Sequence, residues 1–411
     1  MPLEPIQRPV AGIREIASTF SATHFAHAVI ALVFAASAPV AIILGVGVAG
    51  GLSESDLASW IFAAFALNGA LTIVVSLLYR MPLSFFWTIP GTVLVGPALG
   101  HLSFPEVVGA FYATGVLLLV LGLTGSVRRV MAYLPMPIIM AMVAGVFLRF
   151  GLEWIDAFTK DLAIVAPMTA TFFLLPLVPG LSRRVPPMIG VLVVGVAALV
   201  LTGEMPSPSG ELAGGAGAWL ATPNLYGPVF SLRAMLELVV PLAVTVLAAQ
   251  NAQGIGILQA AGHKPPINTI TTSCGLVSIA AATFGSVSTC LTGPVNAILV
   301  SGGERRGQYT AAIAVGVLAV VFGAFSPLFT NLMLATPPAF IAALAGLALL
   351  RVLQNAFRTS FQGRFTLGAL ITFLVTLANH PLYNIGAPFW GLVFGFLASW
   401  LLERSDFSQE V

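Results

Sequence analysis

The chain has 411 residues, of which 58% are hydrophobic and only 8% charged, with a mean hydropathy of +0.99. A water-soluble domain carries roughly a quarter charged residues, so 17 Lys and Arg with 15 Asp and Glu cannot cover a soluble protein of this size. Soluble enzyme, nucleic-acid binder and disordered scaffold are excluded together, and the chain belongs in a membrane.

In chain order, the N-terminal twenty residues are polar, carry Arg8 and Arg14, and read as a short cytoplasmic tail without a cleavable signal. A spanning helix needs about 20 mostly apolar residues. The first half is expected to span near His24–Val48, Leu57–Tyr79, Leu83–Leu99, Val107–Leu123, Val130–Phe150, Leu162–Val178 and Met188–Leu201. The second half is expected to span near Leu232–Leu258, Ile267–Thr283, Phe284–Val300, Tyr309–Phe329, Leu332–Leu350, Phe365–Leu377 and Ile385–Leu402. If the N-terminus is cytoplasmic, Arg80, Arg128, Arg129, Arg183, Arg184, Lys264, Arg305 and Arg306 all fall in inward-facing connections, as do Arg351, Arg358 and Arg364. The opposite connections hold Glu54, Asp56, Glu106, Glu153, Asp156 and Asp161. That alternation predicts fourteen spans with both termini inside.

A connection rich in Gly, Pro and Ser, residues 203–231, divides the chain into 1–202 and 232–411. Each part has seven spans, an odd number, so a second half resembling the first must insert upside down, the arithmetic of an inverted repeat. The third span of each half is interrupted, at Phe85–Thr92 and at Phe284–Asn296. Each interruption reads either as a proline kink or as an extended segment feeding a half-helix. Pro90 and Pro294 suit a helix start, where a missing N–H costs nothing. A half-helix aims free N–H groups, and about half a positive charge, at the membrane interior. Ser286, Ser288, Thr289 and Thr292 suit backbone lining a polar cavity or helix–helix packing. Gln250, Asn251 and Gln253 are amides in an apolar span that need partners. Glu237 is a carboxylate within a span; such residues pair or work. Asn68 and Asn331 read as interhelical ties, Arg149 as a snorkelling span end, and His24 and His27 as interfacial. Cys274 and Cys290 read as buried thiols. No nucleophile–base, phosphate-loop or metal-ligand pattern appears, so no cofactor and no enzymatic activity are expected.

Three long runs carry a family likeness: VTVLAAQNAQGIGILQAAGHKPPINTITTSCG (Val244–Gly275), TFGSVSTCLTGPVNAI (Thr283–Ile298) and SFFWTIPGTVLVGPAL (Ser84–Leu99). Together they resemble the benzoate membrane transporter family, of BenE type, over essentially the whole chain. The family is described as bacterial benzoate–proton symporters, distantly similar to nucleobase permeases and sulfate-permease-like anion carriers. The resemblance implies an all-α polytopic protein of the bacterial inner membrane with a possible homodimer. It implies a core domain of spans one to four and eight to eleven, with a gate of spans five to seven and twelve to fourteen. It also implies that the third and tenth spans are short strands followed by half-helices, with substrate between them. Thr88–Thr92 would be the first substrate-facing segment and Ser286–Asn296 the second. Gln250 and Asn251 fall near where the nucleobase permeases carry a glutamate, and Gly293-Pro294-Val295-Asn296 near their Glu-Asn pair. Both departures suit an anionic substrate, which a fixed carboxylate would repel.

The expected substrate is therefore a small aromatic carboxylate carried with protons. Its carboxylate would lie near Gly91, Thr92, Gly293 and Val295. Its ring would stack on Phe86, Trp87 or Phe284. Thr88, Gln250, Asn251, Ser288, Thr289 and Asn296 would supply polar contacts, and Glu237 is the candidate proton carrier. A same-fold carrier of a nucleobase or inorganic anion, and a passive anion channel, are the alternatives.

Overall fold

The structure is a computed structural model that describes residues 3–6, 9–127, 129, 135–178, 185, 187–205, 216–380, 382–383 and 386–407. Among the described residues, seven helices are long and apolar enough to cross a membrane: Ala22–Ala49, Glu54–Tyr79, Phe104–Thr124, Met136–Lys160, Leu232–Ala260, Arg305–Ala324 and Pro338–Phe361. Shorter apolar helices are Ile89–Leu99, Leu162–Leu177, Pro187–Thr202, Ile267–Ala282, Thr366–Ala378 and Ala387–Leu402. The strands among the described residues are β1 (Phe85–Trp87) and β2 (Thr289–Leu291), which pair antiparallel. Each runs directly toward a helix, Ile89–Leu99 and Gly293–Val300 respectively, here called the first and second half-helices.

Three boundaries differ from expectation. The fifth span does not end at Phe150 but runs on to Lys160, so Arg149 is an exposed residue inside a helix rather than its end. Polar residues on one face let a helix extend past the apolar layer. Near residue 330 the chain restarts twice: Pro327 opens the helix Ser326–Leu334, and Pro338 opens Pro338–Phe361. Proline at a helix start sets each new boundary, so the span expected at Leu332–Leu350 begins six residues later. Arg351 and Arg358 lie within that helix. The expected connection at Arg128 and Arg183–Arg184 lies outside the described residues, apart from Arg129.

The helices pack in matched pairs. Helix 104–124 crosses 267–282, and helix 308–324 crosses 54–79. Helix 136–160 lies along 338–361, 162–174 along 187–202, and 366–378 along 387–402. Without a hydrophobic drive between helices in lipid, close approach comes from small residues. At the first crossing, a Cβ on Gly275 would sit 2.3 Å from the Leu119 nitrogen. At the second, a Cβ on Gly69 would sit 2.6 Å from the Gly316 oxygen, and one on Gly316 would sit 2.8 Å from the Gly69 oxygen.

The two ends of the bundle differ in charge. At one end Ser53–Asp56 and Ser103–Glu106 form capping boxes that start helices. The 216–231 connection crosses this acidic end, with Val229 N–H donating to Pro105 O (3.0 Å) and Tyr226 OH donating to Asp56. At the other end Arg80 makes a bidentate pair with Glu15 at 2.6 and 2.9 Å. There Glu4 accepts from the Asn268 and Thr269 amides, both at 3.0 Å, capping helix 267–282 from the N-terminal tail. Lys264, Arg305 and Arg306 line a cavity of about 870 Å³ at this basic end. His24 is buried rather than interfacial, its ring covered by Gly303 and Gly307.

Candidate functional site

The two interrupted spans meet in a ribbon with internal two-fold character. Phe85 faces Leu291, Phe86 faces Cys290 and Trp87 faces Thr289. Thr88 N–H donates to Ser288 O at 3.0 Å, and Thr292 N–H donates to Ser84 O at 3.1 Å. The equivalence is visible in sequence as Ser-x-x-x-Thr-x-Pro, at Ser84–Pro90 and again at Ser288–Pro294. Three outward amides of the ribbon are taken up by neighbouring helices. Phe85 N–H donates to Thr72 Oγ1 (2.8 Å), Thr289 N–H to Ser278 Oγ (2.9 Å) and Leu291 N–H to Asn251 Oδ1 (2.7 Å). A two-stranded ribbon with loose edges would not hold itself; here its edges are tied to three helices.

Asn296 is the strongest tie. Its Oδ1 accepts from Ser84 N–H (3.0 Å), and its Nδ2 donates to Ser84 O (2.9 Å) and Thr292 O (2.7 Å). Asn251 and Asn296, both expected to meet substrate, thus hold backbone in place. Phe86 and Trp87 are 3% and 2% exposed and form an aromatic wall with Phe65, at centroid separations of 5.6 and 5.1 Å. Phe284 is not brought to the half-helix pair. Its ring packs edge-on against Phe62 at 5.6 Å, and its carbonyl accepts from Ser59.

The half-helix N-termini differ. Thr88 caps the first, accepting from Gly91 N–H at 3.2 Å and donating to Thr245 Oγ1 at 3.2 Å. Thr92 turns its hydroxyl back to Thr88 O. Thr292, in the matching place, makes no side-chain cap bond. Its hydroxyl has no partner, and neither do those of Ser84, Ser288 and Thr289, nor Gln250 Oε1 and Trp87 Nε1. Buried polar atoms are nearly always bonded, so these groups on and beside the ribbon keep unused hydrogen-bonding capacity.

Gln253 joins these groups. It is exposed although it lies within a spanning helix, and a Cβ on Gly293 would fall 2.4 Å from its Oε1. A mid-span amide that is exposed faces a polar cavity rather than lipid. Two π-helical stretches, Met235–Val239 and Thr245–Asn251, interrupt this helix and include Glu237, Gln250 and Asn251; such bulges recur at functional sites.

No Lys, Arg, Asp or Glu occurs in residues 84–100, 238–263 or 284–300. The fixed positive potential therefore comes from helix ends. At roughly 3.3 Å per strand residue, the two caps stand about 13 Å apart along the ribbon. An anion between them feels both helix ends at a distance, and its direct hydrogen bonds must come from the unpartnered hydroxyls and amides. Glu237, 4% exposed, lies elsewhere: its Oε2 is 2.9 Å from His101 Nε2, beyond the far end of the first half-helix. His101 carried no sequence signal beyond its place in a connection. Among the described residues no cluster able to hold a metal ion is present.

Known proteins share this architecture. The "Inner membrane protein YdcO" of Escherichia coli K12 is 27% identical over 373 residues, covering 89% of this chain and 92% of that protein. The "Benzoate membrane transport protein" of Acinetobacter baylyi is 29% identical over 385 residues, covering 91% and 94%. In fold, the chain is similar to the transmembrane domain of the cyanobacterial bicarbonate transporter BicA, with a TM-score of 0.58 at 16% identity, covering 91% and 97% of the two chains. It is also similar to SLC26A9, with a TM-score of 0.62 at 13% identity, covering 98% and 72%. Residues 18–401 match the family described as "BenE: Benzoate membrane transport protein", and the chain, a multi-pass membrane protein, belongs to that transporter family.

Proposed function

We propose that this protein is a secondary transporter that imports benzoate or a close aromatic carboxylate together with a proton, by alternating access. The observation that carries this reading is the uncapped second half-helix, with the unpartnered hydroxyls of Thr292 and Ser84 at its start, in a region without a fixed charge. A helix N-terminus attracts an anion without a buried Lys or Arg, and a charge-neutral site can release what it binds. Thr292 and Gln253 supply contacts to the carboxylate near Gly293 and Val295, with the Ser84 hydroxyl beside Thr292; Ser288 and Thr289 lie farther along the strand, next to Thr88 and Trp87, toward Gly91 and Thr92, and Gln250 adds a free carbonyl oxygen. Phe86 and Trp87 supply the wall for the ring. Asn251 and Asn296 keep the ribbon in register.

The packing supports an inverted repeat of seven plus seven spans. Under exchange of the halves, the crossing of helices 104–124 and 267–282 becomes that of 308–324 and 54–79, and the pair 162–174 with 187–202 becomes 366–378 with 387–402. A core carrying the half-helices would rock against a gate built around helices 136–160 and 338–361. With the basic end in the cytoplasm of a bacterial cell, import runs from the acidic end.

Uptake of labelled benzoate into proteoliposomes, with and without an inward proton gradient, tests this. Protein-free vesicles set the baseline for neutral benzoic acid crossing the lipid. Saturable uptake above that baseline, accelerated by the gradient, is expected. Absence of saturable uptake of any aromatic carboxylate would overturn the substrate assignment. Uptake indifferent to the gradient would point to uncoupled anion conduction.

A further inference from the structure

The two half-helices end differently as well as begin differently. Beyond the second, Gln308 donates to Val300 O at 3.2 Å and accepts from or donates to nothing ionic; its Oε1 is 2.8 Å from His263 Nε2. Beyond the first lies a carboxylate. His101 follows the first half-helix by two residues, and its Nε2 is 2.9 Å from Glu237 Oε2, with side-chain exposures of 23% and 4%. The other carboxylate oxygen lies against Gly386, where a Cβ would sit 2.6 Å from Oε1, and the Gly386 amide faces it. Gly386 is the N-cap of the helix Ala387–Leu402. Glu237 thus touches the C-terminal end of one helix system and the N-terminal end of another. A helix C-terminus favours a cation and an N-terminus an anion, so both helix ends suit an imidazolium–carboxylate pair. The charged groups facing Glu237 are His101 and, one turn earlier on its own helix, Arg233. Arg233 also faces Glu106.

We propose that His101 and Glu237 are the proton-binding site of the transport cycle, and that Glu237 latches the first half-helix to the last membrane helix through Gly386. The inference rests on the proton-coupled reading above and deepens it. His101 is the half-open member, reached from the acidic end. Its Nε2–H donates to the ionised Glu237, and a proton from the aqueous side binds the free Nδ1, so the pair passes from net −1 to net zero. The bond to the carboxylate is then an ion pair as well, with donor and acceptor both charged. The carboxylate then depends less on the Gly386 amide, and helix 387–402 is freed to move. The pair lies beyond the C-terminus of the 11-residue first half-helix, roughly 16 Å along it at about 1.5 Å per residue. The N-terminus of that half-helix faces the anion site at the second half-helix across the ribbon, about 13 Å away, so the first half-helix stands between the two sites.

The test uses the full chain in proteoliposomes, as wild type, His101→Gln and Glu237→Gln. Two quantities are read, each above protein-free vesicles: the initial rate of benzoate uptake under an imposed inward proton gradient, and counterflow of labelled against internal unlabelled benzoate at equal pH. The gradient is expected to speed wild-type uptake by up to about tenfold per pH unit, since each unit is a tenfold proton ratio. In both variants uptake is expected to be indifferent to the gradient while counterflow stays within about threefold of wild type. Variants whose uptake the gradient speeds as it does wild type would overturn the proposal. So would loss of counterflow along with uptake in monodisperse protein, because the pair would then be structural. Should Glu237→Gln fail to fold, His101→Gln carries the same two outcomes. No uptake and no counterflow by wild type would instead overturn the transport reading itself, a different result.

Discussion

The two broken spans share a backbone and differ in chemistry. Residues 84–92 and 288–296 make equivalent ribbon bonds, start their helices at equivalent prolines and place a threonine at each N-cap. In the first, large aromatic side chains fill the strand, and Thr88 is bonded on both sides. In the second, small hydroxyl residues fill the strand, and Ser288, Thr289 and Thr292 have no partner. An unsatisfied buried hydroxyl costs roughly 1–3 kcal/mol. The first segment keeps Ser84 Oγ and Trp87 Nε1 free as well, but its N-cap threonine is bonded where the second segment's is not; in the proposed reading the first segment is chiefly scaffold and wall and the second faces the ligand.

The contrast can be broken most severely at Asn296, which serves both segments. Asn296→Ala removes three bonds and leaves the Ser84 amide unpaired, costing about 2–4 kcal/mol. Thermal unfolding in detergent should show a markedly lower Tm and transport should be lost; an unchanged Tm would mean the ribbon holds without it. Next comes the matched pair of threonines. Thr88→Val removes a working cap and should lower stability by about 1–2 kcal/mol. Thr292→Val removes a hydroxyl with no partner, so stability should hold while benzoate affinity falls about tenfold, or about 1.4 kcal/mol. Equal Tm losses in the two variants would erase the distinction. Gly293→Ala should weaken binding without a large Tm change, because the new methyl group displaces Gln253.

The smallest effect lies at the far end of the second half-helix. Burial holds the His263 imidazole below its ordinary range. The unfolded chain therefore binds its proton more readily than the folded one. The stability supplied by neutral His263 is present above about pH 6.5 and falls away as the pH drops below it. Wild type should lose more Tm than His263→Gln between about pH 7.5 and pH 5.5. An equal loss would place the acid sensitivity elsewhere.

Much of this was legible before the fold. The half-helices announced themselves because proline fixes where a membrane helix can start, and the Ser-x-x-x-Thr-x-Pro spacing repeats with them. The charge shortage fixed the class, and the segregation of basic from acidic connections follows the two ends of helix 54–79. What the sequence could not separate was a free polar atom from a bonded one. Thr88 and Thr292 look alike until Thr245 arrives from 157 residues away. Asn251 and Asn296 read as ligand groups because an amide in an apolar run always needs partners, and their partners were ribbon backbone, for Asn296 212 positions distant. Phe284 read as a stacking ring because it adjoins the second segment, yet the chain turns at Gly285, where φ is +78°, and leaves it with Phe62. His101 was silent because a lone histidine in a connection has no pattern; only Glu237 opposite gives it a role.

Equilibrium binding of labelled benzoate to purified protein tests the central division of labour most directly, with wild type compared against the Thr289→Val, Thr292→Val double variant and against Thr88→Val. Saturable wild-type binding, weakened at least tenfold in the double variant at an unchanged Tm, with Thr88→Val losing Tm instead, is the predicted result. Wild-type affinity in the double variant would contradict it.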